Sequence, residues 1–220
     1  MYPKVLVYCG VHRCLVFDRL VRRFDVAYAF EAMPELAEEA RQRYETMRNV
    51  HITHAALKQE PGPVSFYIHD PVGASSIGRL SAEYRNFTKN QYYAQREVTV
   101  PGINLYDFLR ERNIELIDLY VSDIQGIDFA VLKTLQPYLD EIRIRKLLCE
   151  TERDSHDFES YDGLPSNRQS LFERLLERDY KVVRREKVAA HWASQDITWR
   201  LKMRQLVDWH RRRLKLKYSK

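Results

Sequence analysis

The sequence has few of the residues that mark unusual protein classes. Its 220 residues include only 7 glycines and 8 prolines, which excludes collagen-like and low-complexity disordered chains. No apolar run approaches the roughly 20 residues that a membrane-spanning helix needs. The apolar run at residues 5–8 is also shorter than the core of a secretory signal peptide, and His12 and Arg13 follow it closely. We therefore expect this run to form a buried strand.

Cysteine is scarce as well. Cys9, Cys14 and Cys149 are an odd number of thiols, and their spacing fits no zinc motif. The sequence therefore predicts reduced, partly buried thiols in a cytoplasmic protein, with no disulfide and no metal site at the cysteines.

Basic residues are abundant only near residue 220. Residues 201–220 contain eight Lys or Arg against Asp208 alone, so this segment has a charge of about +7, and residues 1–200 about −2. Such runs bind nucleic acid or anionic lipid in some proteins, but more often they form solvated helix ends. We therefore expect residues 202–220 to form a solvated basic helix or tail, without a nucleic-acid partner.

Short apolar runs alternate with stretches of helical periodicity, a pattern typical of a parallel sheet covered by helices. Seven core strands are predicted, at residues 5–8, 26–30, 51–57, 116–122, 142–149, 181–184 and 197–201. Residues 58–103 interrupt the alternation and predict a small inserted β-hairpin, in which residues 64–69 pair with 97–100. The sequence thus predicts one α/β domain over residues 1–201, with a doubly wound, mostly parallel seven-stranded sheet. Its ligand should lie beyond the carboxyl ends of the strands.

Three of the predicted strands end in glycine or a carboxylate. Gly10 follows the first strand, Glu31 ends the second and Asp123 follows the fourth, so all three should meet at one edge of the sheet. A carboxylate about 20 residues after the first loop can accept hydrogen bonds from both hydroxyls of a ribose. No G-x-G-x-x-G follows the first strand, which disfavours an NAD-dependent or nucleotide-sugar enzyme.

Residues 117–135, IDLYVSDIQGIDFAVLKTL, resemble the central motif of the FkbM-type O-methyltransferases. In that motif a strand ends in Asp, a Gly follows three residues later, and an acidic residue lies two beyond. Asp123, Gly126 and Asp128 fill these positions. The family commonly has Glu directly before the glycine, where this chain has Gln125.

The resemblance extends over residues 4–150, and residues 27–35 (AYAFEAMPE) are similar to the second strand of the family. It implies a Rossmann-like methyltransferase fold that uses S-adenosyl-L-methionine as cofactor. The acceptor that it implies is a small hydroxylated molecule, such as a sugar or a secondary metabolite. The positions that it implies for cofactor binding are Tyr8, Gly10, Glu31, Ala55 and Asp123.

The first loop departs from the family pattern. The family usually has Asp-x-Gly-x-x-x-Gly after the first strand, whereas residues 8–14 are YCGVHRC and keep only Gly10. Tyr8 offers a carbonyl and a hydroxyl in place of the missing Asp. Cys14 replaces the second glycine, and its Cβ occupies space that a glycine would leave open to the ligand. The alternative function is therefore a degenerate, non-catalytic domain that kept the methyltransferase fold for binding.

Methyl transfer to oxygen requires donor and acceptor to be held in line, and a group that takes the hydroxyl proton. Asp123 is the first candidate base, and Glu150, at the end of the next predicted strand, is the second. Asp123 with Asp128 or Glu150 would also supply oxygen ligands to a hard cation. Alternatively, these carboxylates form a helix cap or a salt bridge to Arg143 or Arg145.

Three further features are expected near the site. The polar loop at residues 156–163 should lie over the edge where an acceptor would bind. Ser75 and Ser76 line the acceptor side or only form a turn. His12 flanks a predicted strand end and is a candidate proton carrier, although an isolated histidine is more often a surface residue.

Overall fold

The protein is described by a computed structural model that covers residues 2–186 and 193–218. The strands within these ranges are β1 (Val5–Cys9), β2 (Val26–Glu31), β3 (Val50–His54), β4 (Ala56–Leu57), β5 (Val64–Asp70), β6 (Arg79–Leu80), β7 (Tyr93–Val100), β8 (Gly102–Ile103), β9 (Leu119–Ser122), β10 (Lys146–Glu152), β11 (Tyr161–Asp162), β12 (Tyr180–Arg185) and β13 (Ser194–Leu201). The α-helices are α1 (Leu15–Val21), α2 (Pro34–Arg43), α3 (Ala82–Phe87), α4 (Leu105–Glu111), α5 (Asp128–Thr134), α6 (Gln136–Asp140), α7 (Gln169–Leu176) and α8 (Met203–Tyr218), and Val72–Ala74 forms a 3₁₀ turn. In the described ranges, no helix combines the length and apolar character needed to span a membrane.

The central sheet has seven strands in the order β12-β13-β10-β9-β1-β2-β3. Strands β3, β2, β1, β9 and β10 are parallel, and β13 runs antiparallel between β10 and β12. This confirms the doubly wound, mostly parallel sheet. The strand order reverses between β1 and β9, so a crevice opens at their carboxyl ends. The predicted fourth strand is central in the sheet. It begins at Leu119 rather than at residue 116, and Ile117 forms only an isolated bridge to Ile144.

Both faces of the sheet are buried, which explains the continuous apolar character of β1. Leu6 and Tyr8 point into a cluster beneath α1 and α2. Val5 and Val7 point into a larger cluster on the opposite face, which includes α4, α5 and α7. Successive residues of a strand face opposite sides, so the whole of β1 is buried between two helical layers.

The inserted segment is larger than the predicted hairpin. Strands β5 and β7 do pair antiparallel, with Val64 opposite Val100, but the 3₁₀ turn, β6 and α3 lie between them in the chain. Strand β6 pairs with β11 of the main domain. The hydroxyl of Ser76 also donates to the carbonyl of Gln125 at 2.6 Å. The insert is therefore fastened to the edge of the sheet where the strands end.

The basic segment does not form the solvated helix that the sequence favoured. Trp209 on α8 is only 1% exposed, whereas Leu214 on the outer side is 55% exposed. The Nη1 atom of Arg213 donates to both carboxylate oxygens of Asp118, at 2.8 and 2.9 Å, and its Nη2 donates to the carbonyl of Tyr2 at 2.8 Å. Helix α8 is thus packed against the domain, and the expectation of a solvated tail is wrong. Residues 219 and 220 lie outside the described ranges.

Candidate active site

A pocket of about 120 Å³ lies at the carboxyl ends of the central strands. Four residues expected from the sequence line it together: Gly10, Glu31, Ala55 and Asp123. The insert closes the other side with Phe66, Ser75 and Ile77. The pocket therefore lies between the strand ends and the inserted segment, at the switch point of the sheet.

Glu31 ends β2 and is 7% exposed. Its Oε2 accepts a hydrogen bond from the amide of His12 at 2.7 Å, and its Oε1 accepts one from the amide of Met33 at 2.9 Å. Burial raises the pKa of this carboxyl, and the donated amide hydrogens oppose that rise. A carboxylate offers about four acceptor positions, so Glu31 holds the first loop and the start of α2 with capacity left toward the pocket.

Gly10 is required by the close approach of the neighbouring strand. Its φ is 84°, and a Cβ at this position would lie 1.9 Å from the carbonyl oxygen of Asp123. The first loop and the end of β9 therefore approach each other too closely for any side chain. Gly10 also lines the pocket, and its role in cofactor binding stays a prediction.

Two other residues of the first loop adopt backbone conformations that usually favour glycine. His12 and Cys14 have φ values of 50° and 64°, in the left-handed region that costs other residues about 1–2 kcal/mol. The Cys14 side chain is buried with Val11 and Phe17 in the cluster beneath α1. Since Cys14 does not line the pocket, its Cβ takes no room from a ligand there.

Tyr8 is the one predicted cofactor-binding residue that the structure leaves outside the pocket. Its ring packs edge-on against Phe17 at a centroid distance of 5.2 Å, and it is 5% exposed. Burial raises the pKa of the Tyr8 hydroxyl, and the nearby Asp123 and Asp196 add to the rise. The ring therefore belongs to the core beneath α1.

Asp123 and Glu150 are joined by a side chain that the sequence did not single out as functional. The Nε2 of Gln125 donates to Asp123 Oδ1 at 2.7 Å and to Glu150 Oε2 at 3.1 Å. The Tyr161 hydroxyl donates to Gln125 Oε1 at 3.0 Å, which keeps the amide nitrogen turned toward the carboxylates. Ser194 donates to the other oxygen of Glu150 at 2.7 Å. The two candidate bases thus form one hydrogen-bonded unit.

This unit holds protons more tightly than free carboxylates do. Burial raises the pKa of Glu150 well above its usual value, and Asp123 and Asp128 raise it further. The pKa of Asp123 is also raised, chiefly by partial desolvation beside the pocket, although the residue is exposed on its outer side. On β13, burial and Asp123 raise the pKa of Asp196 to about 6. Burial and the neighbouring carboxylates therefore both raise the pKa values of this group of side chains.

The salt bridges that the sequence left open are not formed by these carboxylates. Arg143 pairs with Glu115 and Glu141 instead. Arg145 approaches Asp118 at 3.9 Å. The guanidinium groups thus lie away from Asp123, so no arginine neutralises the rim from these two positions.

Asp128 is fully buried and accepts hydrogen bonds from the loop that follows β9. Its Oδ1 accepts from the Ser122 hydroxyl and, at 3.1 Å, from the amide of Ile124, and its Oδ2 accepts from Asn167 at 3.4 Å. Burial raises its pKa to about 7. These bonds direct Asp128 away from the pocket, which removes it as a cation ligand beside Asp123. Among residues 2–186 and 193–218, no group of three or more His, Cys, Asp or Glu is placed to hold a metal.

The polar loop at residues 156–163 does reach the strand ends. A Cβ on Gly126, whose φ is 92°, would lie 2.4 Å from the ring of Tyr161 in this loop. Gly126 is therefore needed both for its backbone conformation and for the contact with Tyr161. His12 lines the pocket, and burial lowers the pKa of its imidazole.

Comparison with known proteins gives a match to one family. The family model described as "Methyltransferase FkbM domain" matches residues 9–182. A search of the curated proteins finds no significant match.

Solved structures with a similar fold include three methyltransferases. An rRNA methylase from Streptococcus thermophilus is 10% identical, with a TM-score of 0.47, covering 90% of this chain and 86% of its own. A putative methyltransferase from Streptococcus mutans in complex with SAH is 6% identical, with a TM-score of 0.48 and coverage of 90% and 89%. The N-methyltransferase NodS from Bradyrhizobium japonicum, also with SAH, is 10% identical, with a TM-score of 0.45 and coverage of 90% and 78%. All three TM-scores lie below 0.5, so the assignment depends on the family match.

Proposed function

The chain belongs to the FkbM methyltransferase family, and on that premise we propose that it methylates the hydroxyl of a small acceptor, such as a sugar or a secondary metabolite. The methyl donor is S-adenosylmethionine. The observation that carries the proposal is the joined carboxylate unit of Asp123 and Glu150, which borders the pocket next to Glu31.

The pocket has the chemistry that this cofactor needs. Glu31 retains acceptor capacity for the hydroxyls of a ribose. Met33, Ala55 and Ile127 give apolar walls that suit a flat base. The acidic rim around Asp123 would attract the positively charged sulfonium and ammonium groups of the cofactor.

The bound cofactor supplies an electrophilic methyl group, and the chain supplies orientation and proton transfer. Asp123 takes the proton of the acceptor hydroxyl, and its raised pKa makes it a stronger base than an exposed carboxylate. Gln125 fixes the orientation of Asp123 by donating to its Oδ1. Glu150, held by the same amide, is the next acceptor available to the proton.

The alternative, a non-catalytic binding domain, rests on the altered first loop. Two features of that loop favour retained cofactor binding instead. Its backbone keeps left-handed conformations at His12 and Cys14. The Cys14 side chain is buried in the core and leaves the pocket clear. We therefore rank the methyltransferase function first.

Calorimetry with S-adenosylmethionine separates the two functions. We expect the wild-type protein to bind the cofactor and Glu31→Gln to bind it more weakly. The matched control is Glu38→Gln, which changes an exposed carboxylate of α2 whose partner is Arg41 on the same helix. No binding at about 1 mM cofactor, a concentration that corresponds to a binding free energy of about −4.1 kcal/mol, would leave the non-catalytic domain as the function.

The acceptor class needs a second measurement. Release of S-adenosylhomocysteine is followed with hydroxylated acceptors and with amine and RNA acceptors in parallel. We expect turnover with a hydroxylated acceptor, and a large loss of that turnover in Asp123→Asn. Turnover only with amines or RNA would refute O-methylation while leaving the family assignment intact.

A further inference from the structure

A second cavity, of about 430 Å³, lies at the amino-terminal edge of the sheet, opposite the candidate active site. Its lining includes the cationic residues Lys4, Arg23, Arg145 and Lys146. We call this group the basic cavity. Leu20, Phe24 and Leu119 form its apolar part, and Asp118 is its one carboxylate.

The topology explains why these cations meet. Lys4 directly precedes β1, Asp118 directly precedes β9, and Arg145 directly precedes β10. These three strands are neighbours and parallel, so their first residues share one edge of the sheet. Arg23, in the turn after α1, completes the ring from the side.

The single carboxylate of the basic cavity is already engaged. Asp118 accepts two hydrogen bonds from Arg213 of α8, at 2.8 and 2.9 Å, and one from the amide of Val5 at 3.0 Å. Arg145 lies 3.9 Å away from it, at the limit of an ion pair. In the part of the chain that the structure describes, no ion pair is recorded for Lys4, Arg23 or Lys146.

The sheet adds two more cations beside the basic cavity. Lys146 on β10 is directly opposite Arg200 on β13, and Arg200 is directly opposite Lys181 on β12. Like charges in directly opposed positions destabilise a sheet. The effect is visible at Lys146, where burial and then Arg145, Arg23, Arg200 and Arg184 lower the pKa of the ammonium group.

We propose that the basic cavity is a binding site for a chain of phosphate groups, a role independent of methyl transfer. Four cationic residues line a partly enclosed space whose one lining carboxylate is already paired, which leaves a positive potential there. Guanidinium groups bind phosphate oxygens through paired hydrogen bonds, and an ammonium adds a compact charge. The volume exceeds the space that one phosphate needs, which favours linked phosphates, from a free oligophosphate or from an RNA backbone.

Thermal unfolding of the full chain tests the site without any activity measurement. We expect tripolyphosphate to raise the melting temperature of the wild-type protein more than sodium chloride of equal ionic strength does. Lys146→Gln and Arg23→Gln should show a smaller rise. Without an anion, both variants should be at least as stable as the wild type, because each removes mutual repulsion. If these cations instead served a structural role, both variants would melt earlier.

Calorimetry measures the affinity for tripolyphosphate in the wild-type protein, in the two variants and in a control variant. Binding of tripolyphosphate should weaken about tenfold in each variant, the equivalent of about 1.4 kcal/mol. Arg41→Gln is the matched control, because Arg41 is an exposed cation on α2 whose partner is Glu38, and it should bind like the wild type. Equal binding by all three variants, or no effect of tripolyphosphate beyond that of chloride, would overturn the proposal.

A competition experiment identifies the source of the phosphates. A labelled single-stranded RNA is titrated onto the protein, with and without tripolyphosphate. RNA binding that weakens in Lys146→Gln and is displaced by tripolyphosphate would assign the cavity to a nucleic-acid backbone. Binding of tripolyphosphate alone would assign it to a free oligophosphate. If neither binds, no phosphate site exists.

Discussion

The joined carboxylates can be tested by changing a single donor. Gln125→Glu keeps the length and shape of the side chain and the left-handed backbone, whose φ is 55°. It replaces the Nε2 donor by an oxygen. That atom lies 2.7 Å from Asp123 Oδ1 and 3.1 Å from Glu150 Oε2. In the variant, three carboxyl groups would therefore meet within hydrogen-bonding distance.

The magnitude follows from Coulomb's law. Two unit charges about 3 Å apart repel by roughly 5 kcal/mol at an effective dielectric constant of about 20. Three ionised carboxylates therefore cannot coexist here, and the new carboxyl should keep its proton. If its pKa rises by about 3 units in the folded state, the linked free energy is about 4 kcal/mol. When the pKa of the new carboxyl is higher in the folded than in the unfolded protein, the free energy of unfolding is unaffected below the unfolded pKa, near about 4. It then falls as the pH rises toward the folded pKa.

Urea unfolding at about pH 5 and about pH 8 measures this loss. Relative to the wild type, Gln125→Glu should lose several kcal/mol between the two conditions. Gln136→Glu is the control, because the Gln136 amide donates to Asp140 at 2.9 Å on an exposed helix surface. That like-charge pair should cost no more than about 0.5 kcal/mol. Equal pH dependence in the two variants would refute the account of Gln125.

Three further predictions address the site and the fold. Asp123→Asn should retain the wild-type unfolding midpoint and bind cofactor within about tenfold, while methyl transfer slows by about 10²–10⁴; full activity would reassign the base to Glu150 or to solvent. Glu31→Gln should weaken cofactor binding in calorimetry by about 1–3 kcal/mol, the scale for lost hydrogen bonds to a charged acceptor. Trp209→Ala should lower the free energy of unfolding in urea by about 3–5 kcal/mol. Leu214→Ala, on the exposed side of α8, should change it by less than about 0.5 kcal/mol, and equal losses would contradict the packing of α8.

Much of the fold could be predicted because parallel strands are buried on both faces. The apolar run in β1 and the run that ends at Ser122 have no polar alternation, which distinguishes them from exposed strands. The ends of these runs then placed Gly10, Glu31 and Asp123 at one edge. The position of a residue at a strand end follows from the topology of the sheet alone. These three positions could therefore be predicted without knowledge of side-chain contacts.

Contacts between distant segments could not be predicted in the same way. The bridge of Gln125 depends on the distance between β9 and β10, which the sequence does not contain. Gly10 contacts Asp123 more than a hundred residues later. In the sequence, Trp209 lies in a segment rich in Lys and Arg, which predicts solvent exposure. Its burial depends on the packing of α8 against the core, which the sequence does not show. In each case the deciding partner lies on another element.

The contacts of Arg213 also have a consequence for the rate at which the molecule opens. They join residues 95 and 211 positions apart in the chain. Contacts that close such long loops bear a large entropic cost and tend to form late in folding. Interactions absent from the folding transition state affect chiefly the unfolding rate. We therefore expect the contacts of Arg213 to slow unfolding while having little influence on the folding rate.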